Sequence, residues 1–220
     1  MNEITKHGSC YYRSEDVQAA YRLLCADYNK FALQETSRPW WEEFARHLHK
    51  GCQILDLGCG SGIPARFLSN RGLRVVGVDV SGDMVRLARK QDPQGIFFCA
   101  EMDEIHWPIY SFHGACSFFS LLHLPKKKAR KLVKNVHEWL RPGGIFAVTL
   151  VEGDGEGLCE NFMNKGVPVY LSYYKQTEFW DMLKGAGFVV EDMNRLEIKT
   201  DNFSETELFF LASKRGMLGE

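Results

Sequence analysis

Apolar residues recur along the chain at two periods, and the switch between them lays out the fold. Residues 14 to 35 carry Val17, Tyr21, Leu24, Cys25, Tyr28 and Phe31 at helical spacing. Ser14 ahead of Glu15 and Asp16 suits the start of that helix. A second helix is predicted over Trp40 to Leu48, opened by Pro39. After it the apolar runs become short and continuous. Gln53–Leu57, Arg74–Val80, Ile96–Cys99, Gly114–Phe119 and Ile145–Val151 read as buried strands. Residues 63–70, Ser81–Lys90 and Pro125–Leu140 read as helices between them. Lys175–Ala186 is a further helix, stopped by Gly185-Ala186-Gly187. Phe188–Met193 and Glu207–Ala212 read as two closing strands.

Strands alternating with helices predict an α/β fold, a parallel sheet covered on both faces. Only Asn194 to Thr206 separates the last two strands, without a helical pattern, so they are expected to pair as an antiparallel hairpin. The stretch Glu152–Tyr174 is long and starts polar, which suggests a lid or binding loop.

Composition narrows the class of function. Of 220 residues, 45% are apolar and 25% charged, as in an ordinary globular domain. A formal net charge of −1 gives no bulk attraction to nucleic acid or to an anionic membrane. MNEITKHGSC has no signal-type apolar core, and no run approaches the roughly 18 apolar residues of a spanning helix. The seven cysteines (Cys10, Cys25, Cys52, Cys59, Cys99, Cys116, Cys159) show no CxxC spacing, so neither a disulfide framework nor a metal site is suggested. Reduced thiols and a cytoplasmic protein are the expectation.

The segment Ile54-Leu55-Asp56-Leu57-Gly58-Cys59-Gly60-Ser61-Gly62 runs from a strand through a glycine-rich turn into a helix. Glycine lets the backbone come close to a ligand, and the helix start offers free N–H groups. A dinucleotide fingerprint requires glycine three positions after Gly60; Ile63 stands there, and the third glycine falls at Gly62. Asp56 would repel a pyrophosphate but suits an ammonium group. Asp79 ends the second strand, 21 residues after Gly58, where a carboxylate can accept from both hydroxyls of a ribose.

With these residues the chain resembles the class I S-adenosylmethionine-dependent methyltransferases over roughly residues 20 to 213. ILDLGCGSG (54–62) is similar to the family's first motif and VVGVDVSGDMVRLAR (75–89) to its second. Phe98-Cys99-Ala100-Glu101-Met102 resembles the third-strand segment, Leu140-Arg141-Pro142-Gly143-Gly144 the turn before strand five, and Gly187-Phe188 the turn before strand six. Two positions depart from the pattern. Glu101 stands where aspartate is usual, so either Glu101 or nearby Asp103 is left to contact the adenine. Phe112-His113 stands where Phe-Asp is common.

The resemblance implies a seven-stranded sheet in the order 3-2-1-4-5-7-6 with the last strand antiparallel. It implies S-adenosylmethionine across the ends of strands one and two. Asp56, Gly58, Cys59, Gly60, Gly62, Asp79, Val80, Met84, Glu101, Met102, Phe118 and Tyr28 are the expected cofactor residues. The expected domain plan is a single unit: a helical cap (1–50), a cofactor-binding core (51–151), an acceptor-side loop or lid (152–174), then a helix and hairpin (175–220).

Methyl transfer from a sulfonium is an in-line displacement, so alignment and water exclusion matter more than a strong base. His123, in Ser117–Leu124 after strand four, is the candidate base, set against a histidine that merely holds its loop. Tyr28 and Tyr173 are the other candidate catalytic residues, each set against plain packing. Glu152, Asp154 and Glu156 form an acidic loop, and Lys126–Lys134 a basic run; both read as solvated surface. The expected acceptor is a small molecule, with no nucleic-acid or membrane partner. The alternatives are an S-adenosylmethionine-binding protein without transfer, a protein or RNA methyltransferase, and a nicotinamide oxidoreductase.

Overall fold

The computed structural model of the chain describes residues 4–5, 12–32, 38–164, 166–200 and 203–216. The elements run in chain order β1 (Ile4–Thr5), α1 (Ser14–Ala32), α2 (Arg38–Arg46), β2 (Gln53–Leu57), α3 (Ile63–Ser69), β3 (Arg74–Asp79), α4 (Gly82–Gln91) and β4 (Ile96–Cys99). They continue as β5 (Phe112–Phe118), α5 (Lys126–Trp139), β6 (Leu140–Val151), β7 (Glu156–Cys159), β8 (Val169–Ser172), α6 (Gln176–Gly185), β9 (Phe188–Thr200) and β10 (Phe203–Lys214).

Seven of the strands form one sheet in the order β4-β3-β2-β5-β6-β10-β9. Counted within that sheet alone, the order is 3-2-1-4-5-7-6, as the resemblance implies. β10 runs antiparallel to both β6 and β9, while β2 is parallel to β3 and β5.

The sheet works as a divider because strand side chains alternate between its faces. Leu208, Phe210 and Ala212 of β10 join the core under α1, α5 and α6, while Phe209 and Leu211 join the core under α2, α3 and α4. β6 divides likewise: Phe146, Val148 and Leu150 against Ile145 and Ala147. Both tryptophans of α2 are packing residues. Trp41 is buried, and Trp40 stacks on Phe209 with ring centroids 4.8 Å apart. At the second departure from the family pattern, His113 Nδ1 accepts from the Gln53 N–H at 3.1 Å, tying β5 to the start of β2.

The segment 152–174, expected to be a lid or binding loop, contains strands: β7 and β8 pair antiparallel, and β1 adds to β7 to make a second, three-stranded sheet. The closing strands are also longer than the apolar pattern indicated, since β9 reaches Thr200 and β10 starts at Phe203. Arg195, Leu196 and Glu197 are all exposed, so both faces of this arm meet water and no alternation marks it as strand. Cys52, Cys59, Cys99, Cys116 and Cys159 are free thiols, and of these Cys99 is exposed while the other four are buried. No helix among the described residues is long and apolar enough to cross a membrane.

Candidate active site

The glycine loop between β2 and α3 is shaped by what crowds it. Gly58 has φ +73°, and a Cβ there would fall 2.2 Å from Ser120 Cβ. Gly62 has φ +81°, and its Cβ would fall 2.8 Å from Ala88 Cα on α4. Both positions therefore exclude any side chain, for conformation and for space. At Gly58 the neighbour is the loop after β5; at Gly62 it is a packed helix.

Asp79, at the end of β3, holds this loop from the other side. Its Oδ2 accepts from the Gly60 N–H and its Oδ1 from the Ser81 N–H, each at 2.8 Å. Burial pushes its carboxyl up to about 6 despite those two bonds. Asp56 is buried more deeply, one layer behind. Its Oδ1 faces Cys116 Sγ at 3.7 Å and its Oδ2 has no partner. Burial, with Asp79 adding repulsion, raises Asp56 to about 7.

A cavity of about 590 Å³, its open mouth included, lies between this loop, the end of β4, the loop after β5 and α1. Of the residues singled out from the sequence, Gly58, Gly60, Asp79, Val80, Glu101, Met102, Phe118 and His123 line it. Five expected residues do not. Asp56 and Cys59 are buried beneath the loop, Gly62 packs on Ala88, and Met84 is fully buried with its N–H donating to the Ser81 cap. Tyr173 lies instead beside Gly153, near Cys159 and Glu205, because side chains alternate along β8 and its continuation. The side chain of Tyr28 falls outside the described residues.

The N-terminal helices were expected at the cofactor site through Tyr28, but Tyr12, Val17 and Tyr21 were not expected there. α1 contributes Val17 and Tyr21, and Tyr12 precedes it. The Tyr21 hydroxyl meets His123 Nε2 at 2.8 Å with the rings perpendicular, and Phe162 packs on the other edge of the His123 ring. Burial lowers His123 to about 4, outweighing the nearby Tyr170 carbonyl. The imidazole is therefore neutral at physiological pH. Phe119 also lines the cavity with φ +54°, an uncommon conformation for an aromatic residue. Its N–H is held by Thr149 Oγ1 at 3.0 Å. The sequence signal for Tyr21 was present, but as one apolar position in a helical stripe.

The two charged runs dissolve into separate pairs. Arg195 binds Glu152, Lys175 binds Asp154, and Glu156 accepts from the Lys126 N–H at the start of α5. Lys126 Nζ pairs with Glu178 and Lys128 Nζ with Asp103.

Comparison with known proteins agrees with this geometry. Residues 54–144 match a family model described as a methyltransferase domain. The chain is 31% identical over 160 residues to the 27-O-demethylrifamycin SV methyltransferase of Amycolatopsis mediterranei, covering 66% of this chain and 56% of that protein. It is 29% identical over 163 residues to an S-adenosyl-L-methionine-dependent Diels-Alderase of Talaromyces variabilis, covering 64% of this chain and 55% of that protein. The chain thus spans little more than half the length of these two relatives. Among solved structures, the fold matches the Burkholderia thailandensis 1,6-didemethyltoxoflavin-N1-methyltransferase with a TM-score of 0.76 at 21% identity, covering 96% of this chain and 94% of that one.

Proposed function

We propose that the chain is a class I S-adenosylmethionine-dependent methyltransferase that methylates an O, N or S atom of a small molecule, a reading supported by the methyltransferase-domain match over residues 54–144. The observation that carries the proposal is the cavity in which Gly58, Gly60 and Asp79 face Tyr21 and His123 across one space.

The residues present fit the cofactor. The Gly58 position admits a closely approaching ligand, and each Asp79 oxygen keeps a second lone pair for a ribose hydroxyl. Asp56 keeps an unpartnered buried oxygen behind the loop, which favours a cationic ligand in front of it. When bound, S-adenosylmethionine supplies a methyl group already activated by the sulfonium charge.

The chain's own contribution is positional. Phe118, Phe119 and Val17 exclude water from the cavity. Neutral His123 accepts from the Tyr21 hydroxyl and fixes its orientation towards an acceptor. A base held near 4 takes up little proton at neutral pH, so His123 acts by orienting. The 27-O-demethylrifamycin and didemethyltoxoflavin enzymes act on small molecules by their names, which supports a small acceptor here.

A second reading follows from the Diels-Alderase relative: the cofactor site could serve a reaction without transfer. Thermal-shift measurements with S-adenosylmethionine, S-adenosylhomocysteine and NAD come first. At about 100 times its dissociation constant, a ligand adds roughly 2.7 kcal/mol of stability. Shifts with the two adenosyl-sulfur ligands alone support both readings; a shift with NAD alone removes both. An acceptor screen read by S-adenosylhomocysteine release then separates them, since only methyl transfer produces it.

A further inference from the structure

Two carboxylates stand just beyond β4 on the cavity wall, and they are differently engaged. Glu101 is occupied on both oxygens: Oε1 accepts from Ser14 Oγ at 2.6 Å, and Oε2 lies 3.8 Å from Lys128 Nζ. Asp103 is 9% exposed, and its Oδ2 pairs with Lys128 Nζ at 3.0 Å. Its Oδ1 is buried without a hydrogen-bond partner.

A buried carboxylate oxygen left without a donor is costly, and such orphans in folded proteins mark places where a ligand or water supplies the missing bond. Asp103 lines the cavity, and the apolar side chains of Val80 and Met102 line it too. A flat ring carrying an exocyclic N–H suits that combination. Glu101 has no comparable vacancy. Its bond to Ser14 holds the first residue of α1, the helix that brings Val17 and Tyr21 to the cavity. Lys128 also sits over the Tyr12 ring at 4.7 Å, so the same lysine joins both carboxylates to the segment that precedes α1.

Resting on the reading of this cavity as an S-adenosylmethionine site, we propose that Asp103 reads the exocyclic amine of the adenine while Glu101 anchors α1 over the cavity. This inverts the assignment that position 101 would carry by resemblance alone. It makes Asp103 a specificity-determining residue. A 6-amino purine donates to Oδ1, whereas a 6-oxo purine turns a second acceptor towards it.

The test is calorimetric titration of S-adenosylhomocysteine and S-inosylhomocysteine into the wild-type protein, Asp103→Asn and Glu101→Gln. The wild type is expected to prefer the adenosyl ligand by about tenfold or more, the size of a lost hydrogen bond to a charged group. Asp103→Asn offers an N–H to the 6-oxo group and is expected to bring the ratio of affinities close to one. Glu101→Gln is expected to keep the wild-type ratio. Because each ratio is taken on a single protein, partial unfolding weakens both ligands alike and leaves it unchanged. A ratio that collapses in Glu101→Gln but survives in Asp103→Asn overturns the assignment, as does a ratio that neither change moves. If the wild type binds neither ligand, the cofactor reading itself fails, an outcome distinct from a wrong choice of carboxylate.

Discussion

The Tyr21 hydroxyl lies 2.8 Å from His123 Nε2, joining positions 102 residues apart in the chain. One residue comes from the helix that precedes the whole sheet, the other from the loop after β5. Their bond closes the cavity on the side facing Gly58 and Asp79.

That burial gives a pH prediction. His123 is held near 4 in the folded protein, against an ordinary value of 6.5. Between these values the unfolded chain takes up a proton that the native protein refuses, so this residue's contribution to stability falls as pH drops from about 6.5 to about 4. Asp56 and Asp79, raised by burial, act in the opposite sense, and their contribution is lost as pH rises through about 7 and about 6. Urea melts of wild type and His123→Gln at several pH values isolate the histidine. The stability gap between the two proteins should narrow with acid; a constant gap would show that His123 titrates normally.

On the proposed reading of the cavity as an S-adenosylmethionine site, the same carboxylates affect ligand uptake, Asp79 from the cavity wall and Asp56 from behind the loop. An ammonium group near Asp56 and ribose hydroxyls on Asp79 both favour the ionised forms, so binding should release protons. S-Adenosylhomocysteine affinity is expected to rise from about pH 5 to about pH 7. Calorimetry in buffers of different ionisation enthalpy counts the protons released, and Asp56→Asn should reduce that count. Binding without proton release would mean that both groups stay ionised in the free protein.

Asp79→Ala should weaken S-adenosylhomocysteine binding by about 1–3 kcal/mol, the loss of hydrogen bonds to a charged partner. It should also lower the melting temperature of the ligand-free protein, because the Gly60 and Ser81 N–H groups lose their acceptor. Loss of affinity with an unchanged melting temperature would show that the loop does not depend on Asp79.

Gly58→Ala places a methyl group 2.2 Å from Ser120 Cβ at a φ of +73°. We expect a destabilisation of about 2–4 kcal/mol, combining overpacking with a left-handed backbone. Ser120→Gly in the same chain should recover the overpacking share and leave the backbone share. Denaturant midpoints of the two single variants and the double variant measure that coupling. Strict additivity would place the cost entirely in the backbone.

Glu156→Ala should cost about 1–2 kcal/mol by removing the carboxylate that accepts from the Lys126 N–H at the start of α5. Ser172 loses a partner as well, since its hydroxyl also contacts Glu156. Denaturant melts check the magnitude. Wild-type stability in the variant would show that water replaces the cap without cost.

Much of this architecture was determined by the sequence itself. Short, largely apolar runs over Gln53–Leu57 and Ile96–Cys99 marked the strands to the residue, but the expectation that both are buried holds only for β2: Ile96, Phe98 and Cys99 of the edge strand β4 are exposed. The glycine loop and Asp79 were legible because tight backbone turns restrict residue type locally. The arm of β9 beyond Asn194 and the small sheet of β1, β7 and β8 were decided only in three dimensions. The arm is solvated on both faces, and the small sheet draws its strands from distant parts of the chain, so neither leaves a local period. The site divides in the same way. Sequence singled out Gly58 and Gly60, which line the cavity from one continuous strand–turn–helix. It did not show that Tyr21 meets His123, that Glu101 is taken by Ser14, or that Asp103 keeps an unpaired oxygen. Those relations depend on helices docking across the sheet, where packing rather than local chemistry chooses the neighbours.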